Sequence, residues 1–341
     1  MFDFEVCIFL YFYVILFEKE VVMRIFRIFM LIMLCSIFIG CSNANPYSKS
    51  GFYFDTVITI TLFDNPNDEL IDECFRICEE LENKFSISIE TSEISRINAA
   101  NGAPVKVSNE TLELLHTGIY YGQLSNGCFD ITIAPLSTLW NFDKQSQKIP
   151  SDVDIETALT HVNYKNIKID GNTVTLTDTN ASINLGGIAK GYIADRLKQY
   201  LLENNVSSAI INLGGNVVTI GQKEDGSPFK IGIQKPFSQS GETMISLSST
   251  DNSIVTSGVY ERCFTVEDTL YHHILDITTG YPCETDLLSA TILSDNSVDG
   301  DALSTICILL GSQKSIELIE DLETIDAIFI TKDYEIIDTR N

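Results

Sequence analysis

A glycine-rich turn is the clearest candidate for chemistry in this sequence. The stretch 184–191 reads NLGGIAKG; it follows a predicted strand at 182–185 and opens a predicted helix at 188–204. Gly186 and Gly187 let the backbone approach a ligand closely, and a helix N-terminus presents N–H groups and a positive dipole end, an arrangement that suits phosphate. The spacing is neither GxGxxG nor that of a P-loop, so it predicts neither a dinucleotide-binding fold nor a kinase fold. A tight connection without a ligand is the alternative.

A second glycine pair, Gly214–Gly215, repeats the motif. The stretch 212–215 reads NLGG and ends a predicted strand at 209–213. Two such edges can face one elongated ligand, or they can be two unrelated turns.

Asp301 and Thr305 form a candidate metal site. They lie four residues apart on a predicted helix at 301–310, so their side chains share one face. A carboxylate and a hydroxyl are hard oxygen donors, suited to a Mg²⁺ ion that also contacts phosphate. The alternative is that Asp301 only complements the dipole of the first helical turn.

His272 and His273 are adjacent, and Asp276 follows them. One imidazole near an acid is a candidate general base for a hydroxyl. Adjacent residues on a strand point to opposite faces, so the two histidines cannot serve one site in the same way. A histidine pair holding a metal is therefore not predicted, and an exposed polar strand is the alternative.

Charge limits the partners of this chain. Its 22 Lys and Arg face 47 Asp and Glu, which gives a net charge of −25. Such a surface repels nucleic acid phosphates, so binding to nucleic acid is excluded. Any anionic ligand must be held locally, by backbone N–H groups, a few cations or a metal.

Residues 1–41 form a densely apolar leader. A short basic segment at 23–27, an apolar run at 28–39 and Gly40-Cys41 resemble a bacterial lipoprotein signal, in which the cysteine is lipidated. Residues 1–22 precede a complete signal, so Met23 is the predicted start. Residues 42–50 are a predicted tether, and an uncleaved membrane helix is the alternative. The folded part is expected outside the cytoplasm, lipid-anchored to the cell membrane.

Residues 51–341 contain no linker-like stretch. We predict a single α+β domain with a mixed, largely antiparallel sheet and flanking helices. The main predicted elements are strands at 51–62, 167–169, 173–176, 209–213, 325–331 and 334–338, and helices at 66–84, 108–124, 151–160, 188–204, 301–310 and 316–322.

Taken in order, eight stretches resemble the ApbE family, the FAD:protein FMN transferases. They span about residues 50–312, and each alone is weak evidence. They are SEISRIN (92–98), FDITIAPL (129–136), NLGGIAKGYIAD (184–195), INLGGN (211–216), IGIQKP (231–236), TSGVYER (256–262), HHILDITTGYP (272–282) and DALST (301–305).

The resemblance implies an enzyme that binds FAD with Mg²⁺. It would transfer FMN to a Thr hydroxyl of a target protein, such as a subunit of a membrane redox complex, and release AMP. Matched position by position, the resemblance implies that the metal is bound by Ala189 (through its carbonyl), Asp301 and Thr305. It implies that catalysis depends on His273 and Asp276. The residues that it assigns to FAD are Gly186, Gly187, Lys190, Gly214, Gly215, Ser257 and Gly258.

The chain departs from the family pattern at three places. Asn184 stands where the family has an aspartate, Ile277 stands where it has a proline, and the stretch 86–89 lacks the aromatic residue that stacks on the flavin. Two other functions stay open: hydrolysis of FAD to FMN and AMP in the same pocket, and flavin binding without catalysis by a lipoprotein.

Overall fold

The computed structural model describes residues 46–142, 148–238 and 241–340. Fifteen strands lie in these ranges: β1 (Tyr47–Tyr53), β2 (Thr56–Leu62), β3 (Val105–Lys106), β4 (Ile167–Asp170), β5 (Thr173–Leu176), β6 (Ala209–Leu213), β7 (Asn216–Ile220), β8 (Phe229–Gln234), β9 (Thr243–Ser249), β10 (Ser253–Gly258), β11 (Cys263–Val266), β12 (Thr269–His272), β13 (Leu287–Ser294), β14 (Asp326–Thr331) and β15 (Ile336–Asp338).

Eight α-helices lie in the same described ranges. They are α1 (Asp68–Phe85), α2 (Glu93–Asn98), α3 (Asn109–Leu124), α4 (Ala134–Trp140), α5 (Asp152–Leu159), α6 (Ala189–Glu203), α7 (Ser297–Leu310) and α8 (Ser312–Glu320).

Eight of the strands form one sheet in the order β1-β2-β6-β7-β10-β13-β14-β15. Every neighbouring pair in this sheet is antiparallel, as are the pairs in the small sheets β3-β5-β4, β8-β9 and β11-β12. The predicted α+β class with a largely antiparallel sheet is therefore confirmed.

The core lies between this sheet and the helices α6 and α7. All eight residues of β13 are buried, as expected for a central strand that is covered on both faces. Helix α7 packs against β13 and β10, and α6 packs against β6 and β7. The helix pair α6 and α7 is thus held directly over the middle of the sheet.

The first predicted strand, 51–62, is in fact a hairpin of β1 and β2. Phe54 and Asp55 form its turn with φ values of 52° and 56°, and the Phe54 N–H donates to the Glu82 carboxylate at 2.6 Å. Since β1 begins at Tyr47, residues 47–50 of the predicted tether belong to the sheet.

Two helix starts also differ from prediction. Helix α1 begins at Asp68 and not at the predicted position 66, and it is capped by Asn67, whose Oδ1 accepts from the Glu69 N–H at 2.8 Å. Helix α8 begins at Ser312, four residues before the predicted start. The hairpin of β4 and β5 is confirmed, with its turn at 171–172.

A small second core fixes the segment that carries the histidine pair. Its buried members come from or lie beside α4, α5, β11 and β12, and Trp140 is at its centre. The Trp140 indole N–H donates to the Gly280 carbonyl at 2.7 Å. This bond ties the turn that follows His273 to α4.

The predicted leader, including Cys41, lies outside the described residues. Within the described ranges no helix is both long enough and apolar enough to span a bilayer.

Candidate functional site

The glycine-rich loop opens helix α6 as predicted, and Asn184 shapes it. The Asn184 Oδ1 accepts from the Gly186 N–H at 2.9 Å, and its Nδ2 donates to the Ser137 hydroxyl at 3.2 Å. The predicted strand before the loop is wrong, because 182–185 makes only an isolated bridge between Ser182 and Ile133. Asn184 therefore acts here as the residue that closes the turn.

Lys190 and Asp301 meet where α6 crosses α7. The Lys190 Nζ lies 3.4 Å from Asp301 Oδ1 and 3.4 Å from the Gly186 carbonyl oxygen. The second carboxylate oxygen, Oδ2, accepts from the backbone N–H of Gly191 at 2.9 Å. Only 3% of the Asp301 side chain is exposed, so solvent screens its charge little and the charge acts mainly on the groups at this junction.

The two helices approach closely because Gly191 has no side chain. A Cβ at this position would lie 2.6 Å from the Val298 Cα and 2.7 Å from the Ser297 carbonyl carbon, both of them backbone atoms of α7. Such distances are too short for real atoms, so only glycine permits this crossing.

Asp301 and Thr305 share one face of α7, as their spacing predicts. The Thr305 hydroxyl lies 3.4 Å from the Asp301 carbonyl oxygen and 3.4 Å from the Ser257 hydroxyl of β10. Ser257 also lies 2.8 Å from the Ser304 hydroxyl. The end of β10 and the middle of α7 thus bring together the hydroxyls of Ser257, Ser304 and Thr305.

This donor set fits a hard divalent cation. Asp301 Oδ1 and Thr305 Oγ1 are oxygen donors on one helix face, and Ala189, whose carbonyl is the third predicted ligand, is the first residue of α6 next to Lys190. No group of three or more His, Cys, Asp or Glu side chains suitable for a metal occurs in the described part of the chain. A cation here would therefore need oxygens from its ligand or from water, which is the usual mode for Mg²⁺.

His273 is within electrostatic reach of Lys190 at this junction, whereas His272 contacts the segment that contains Cys283. Burial lowers the pKa of His273 to about 3, and the positive charges of Arg262 and Lys190 contribute to this shift. The Nδ1 of His273 is buried without a hydrogen-bond partner among the described residues. The Nε2 of His272 instead lies 3.2 Å from the Cys283 carbonyl oxygen, so the two imidazoles have separate surroundings, as predicted.

Asp276 does not pair with His273. Its Oδ1 accepts from the Thr278 N–H at 2.7 Å, and its carbonyl accepts from the Gly280 N–H at 2.7 Å. The carboxylate therefore stabilises the turn after the histidines, and the contact with the imidazole that the sequence suggested is absent.

Glu261 and Arg262 are site residues that the sequence analysis missed. Glu261 is exposed at the surface, and desolvation by its neighbours together with the charge of Asp301 raises its pKa to about 6, whereas the charges of Lys190 and Arg262 lower it. The Arg262 carbonyl accepts from the His273 N–H at 3.0 Å. Their signal was their position in the stretch TSGVYER, where Val259 and Tyr260 separate them from the Ser257–Gly258 pair.

The second glycine pair is a two-residue turn between β6 and β7, with φ values of +58° at Gly214 and +105° at Gly215. Strand β10 pairs with β7 so that Val255 lies opposite Asn216. Continuing this register places the turn at the same sheet end as Ser257 and Gly258. The second glycine turn therefore lies at the sheet end that also carries Ser257 and Gly258, and a single ligand spanning both glycine pairs stays a prediction.

The arrangement suits chemistry on a phosphate anhydride. Lys190 and Arg262 supply positive charge, Asp301 and Thr305 supply oxygen donors, and His273 supplies a neutral imidazole. A nucleophilic substitution at phosphorus needs charge neutralisation, positioning and a proton acceptor, and this junction offers all three.

Comparison with known proteins shows the family to which this chain is similar. The family model described as "ApbE family" matches residues 54–329. A FAD:protein FMN transferase of Klebsiella pneumoniae is 34% identical over 299 residues, covering 87% of this chain and 92% of that protein. One from Treponema pallidum is 30% identical over 314 residues, covering 86% and 87%.

Solved structures show the same fold. The ApbE protein from Thermotoga maritima superimposes with a TM-score of 0.80 at 29% identity, covering 87% of this chain and 97% of that one. The flavin transferase ApbE from Vibrio cholerae superimposes with a TM-score of 0.77 at 27% identity, covering 86% and 96%.

Proposed function

The chain belongs to the ApbE family, and we propose that it transfers FMN from FAD to a hydroxyl of an acceptor protein. The observation that carries this proposal is the junction of α6 and α7, where the Lys190 Nζ lies 3.4 Å from Asp301 Oδ1 and where burial and the nearby charges of Arg262 and Lys190 lower the pKa of His273. Relatives that cover nearly the whole chain are named FAD:protein FMN transferases.

In the proposed reaction the acceptor hydroxyl oxygen attacks the phosphorus of the FMN half of FAD. A new O–P bond forms, the bond from this phosphorus to the bridging oxygen breaks, and AMP leaves with the electron pair. The hydroxyl proton goes to the imidazole of His273. Burial lowers the pKa of His273 and keeps the imidazole neutral, and the negative charge of a bound pyrophosphate would raise this pKa towards the value that a general base needs. Lys190 balances negative charge at the reacting phosphoryl group.

A bound Mg²⁺ would neutralise pyrophosphate charge and polarise the phosphoryl oxygens. Asp301, Thr305 and the Ala189 carbonyl would hold it. The glycines 186, 187, 214 and 215 would face the FAD phosphates and adenosine, where their backbone leaves space, and Ser257 and Gly258 would lie along the flavin. Asp276 would hold the turn that follows the base.

We propose that the acceptor presents a threonine and is a subunit of a membrane redox complex. We also propose that the enzyme is anchored outside the cytoplasm through lipidated Cys41, as the leader sequence suggests. Mass spectrometry of the N-terminal peptide tests the anchor: a diacylglycerol-modified Cys41 supports it, and an unmodified cysteine with an intact leader contradicts it.

The deciding experiment incubates the purified chain with FAD and Mg²⁺, with and without a candidate acceptor protein. The expected result is a gain of one FMN mass on the acceptor with an equal amount of AMP, both abolished by EDTA. AMP and free FMN with no modified acceptor would indicate a pyrophosphatase. Bound FAD with no AMP, across several acceptors, would indicate a flavin-binding protein.

A further inference from the structure

Helix α7 is capped by a residue of another helix. Its own N-cap residue, Asn296, makes no side-chain cap. Instead the Asp195 carboxylate of α6 accepts from the Ser297 N–H at 2.7 Å and from the Val298 N–H at 2.9 Å. A carboxylate is well suited to this place, because the first N–H groups of a helix lack intrahelical partners.

The opposite contact has the same form. Asp301 of α7 accepts from the N–H of Gly191 in α6 at 2.9 Å. Gly191 and Asp195 are four residues apart on α6, and Ser297 and Asp301 are four residues apart on α7, so each pair lies on one helix face. Each helix therefore gives one carboxylate and receives one through a backbone N–H. We call these two contacts the reciprocal clasp.

The reciprocal clasp determines the direction of the second carboxylate oxygen of Asp301, Oδ1. With Oδ2 held by Gly191, Oδ1 is directed towards Lys190. Asp195 holds α7 one turn before Asp301, and a slip of α7 along α6 would move Oδ1 away from Lys190. Burial raises the pKa of Asp195 to about 6, against the effect of its two hydrogen bonds, so the contact is made in a partly dry environment.

We infer that Asp195 is a positioning residue for the cation and pyrophosphate site: it anchors α7 so that Asp301 and Thr305 face Lys190. This inference rests on the proposed function only for the identity of the ligand. The positioning of α7 depends only on the two hydrogen bonds that Asp195 accepts and on the close helix crossing at Gly191.

The test is Asp195→Asn, which keeps the size of the side chain but places an amide N–H against a backbone N–H. The chain offers a matched control in Asp286→Asn, because Asp286 accepts from the Ser312 N–H at 2.9 Å and so caps α8 away from the site. Binding of Mn²⁺ in the presence of FAD, without an acceptor, is followed by electron paramagnetic resonance.

We expect Asp195→Asn to raise the dissociation constant for Mn²⁺ about tenfold or more, the size typical for residues that orient metal ligands. The half-saturating Mg²⁺ concentration for FMN transfer should rise by a similar factor, with kcat at saturating Mg²⁺ within threefold of the wild type. Asp286→Asn should lower the melting temperature without changing Mn²⁺ binding.

A further variant separates positioning from capping. Asn296→Asp combined with Asp195→Asn gives α7 a carboxylate cap of its own but removes the tie to α6 that Asp195 makes. We expect this variant to regain stability while Mn²⁺ binding stays weak. It also serves as the measured protein if the single variant does not fold.

Three results would overturn the inference: wild-type Mn²⁺ affinity in Asp195→Asn, equal loss in Asp286→Asn, or full recovery of Mn²⁺ affinity in the double variant. Lack of Mn²⁺ binding by the wild type would do so as well. A wild type that binds Mn²⁺ and FAD but modifies no acceptor would contradict only the proposed function, because the comparison of variants by Mn²⁺ binding still reports on the clasp.

Discussion

Replacing Gly191 by alanine tests the packing of α6 on α7. In an ordinary helix interior, glycine to alanine stabilises the fold by about 1 kcal/mol. Here the added Cβ would lie 2.6 Å from the Val298 Cα and 2.7 Å from the Ser297 carbonyl carbon. Because these atoms belong to the backbone, the helices must separate.

The expected change in the free energy of unfolding combines two losses and one gain. Overpacking costs about 1–3 kcal/mol, and weakening the charge-assisted bond from the Gly191 N–H to Asp301 costs about 1–2 kcal/mol more. Subtracting the gain in helix propensity, we expect a net loss of about 2 kcal/mol in the free energy of unfolding. The sign is thus opposite to that of the same change in an exposed helix.

Urea unfolding of the purified protein measures this change. The matched control is Gly122→Ala in α3, where a Cβ would lie 3.0 Å from the nearest Tyr164 ring atom and 3.3 Å from the Phe129 carbonyl oxygen, both longer than the contacts at Gly191. A ring can rotate or shift, so we expect a change within about 1 kcal/mol. If Gly191→Ala proves as stable as the wild type, the close crossing is not required and the reasoning is wrong.

Three further predictions concern the site and its supports. Asp301→Asn keeps an oxygen for the Gly191 N–H, so it should slow FMN transfer by about 10²-fold or more with little loss of stability in urea. Asp301→Ala should slow transfer and also lower the free energy of unfolding by about 1–3 kcal/mol. An unchanged transfer rate would show that Asp301 is not part of the site. Because burial holds the pKa of His273 near 3, its imidazole stays neutral as the pH falls from 8 to 5, and its NMR resonances should not titrate there; a midpoint near 6.5 would contradict this. Gly214→Ala should cost more stability than Gly127→Ala, although both glycines have positive φ, because a Cβ at Gly214 would strike the first residue of β2 while one at Gly127 meets nothing within 4 Å.

Long elements with a strong local signal were predictable from the sequence. Helix α1 has a buried stripe at Leu70, Ile71, Cys74, Cys78 and Leu81, which the apolar periodicity already indicated. The short helices α2 and α4 were missed, since six or seven residues carry too little periodicity. Ser92, whose hydroxyl accepts from the Ser95 N–H at 3.0 Å, is the only local mark of α2.

The turn between β1 and β2 was missed for a different reason. Two-residue hairpin turns with positive φ usually show Asn-Gly or Asp-Gly, and here the residues are Phe54 and Asp55. The bond from the Phe54 N–H to Glu82 of α1 holds this conformation. Because Phe54 and Glu82 are 28 positions apart, the local sequence pattern does not reveal this contact.

The start of α7 shows the same limit at the candidate site. The sequence predicts a helix from Asp301, but it begins at Ser297, because Asp195 caps it from α6. The motif containing Asp301 and Thr305 was visible, and so was their shared face. The residue that positions them was not, since it lies about 100 positions away in the chain.

The balance of charge at the site favours a divalent cation. Lys190 and Arg262 bring two positive charges, and Asp301 and Glu261 bring two negative ones, so the protein side is close to neutral. The pyrophosphate of FAD adds two negative charges, and leaving them uncompensated in a partly buried site is costly. In a chain with a net charge of −25, distant residues cannot supply the compensation. A divalent cation bound by the oxygens of Asp301 and Thr305 would restore neutrality at this site. The acidic surface of the protein would also raise the rate at which the cation binds.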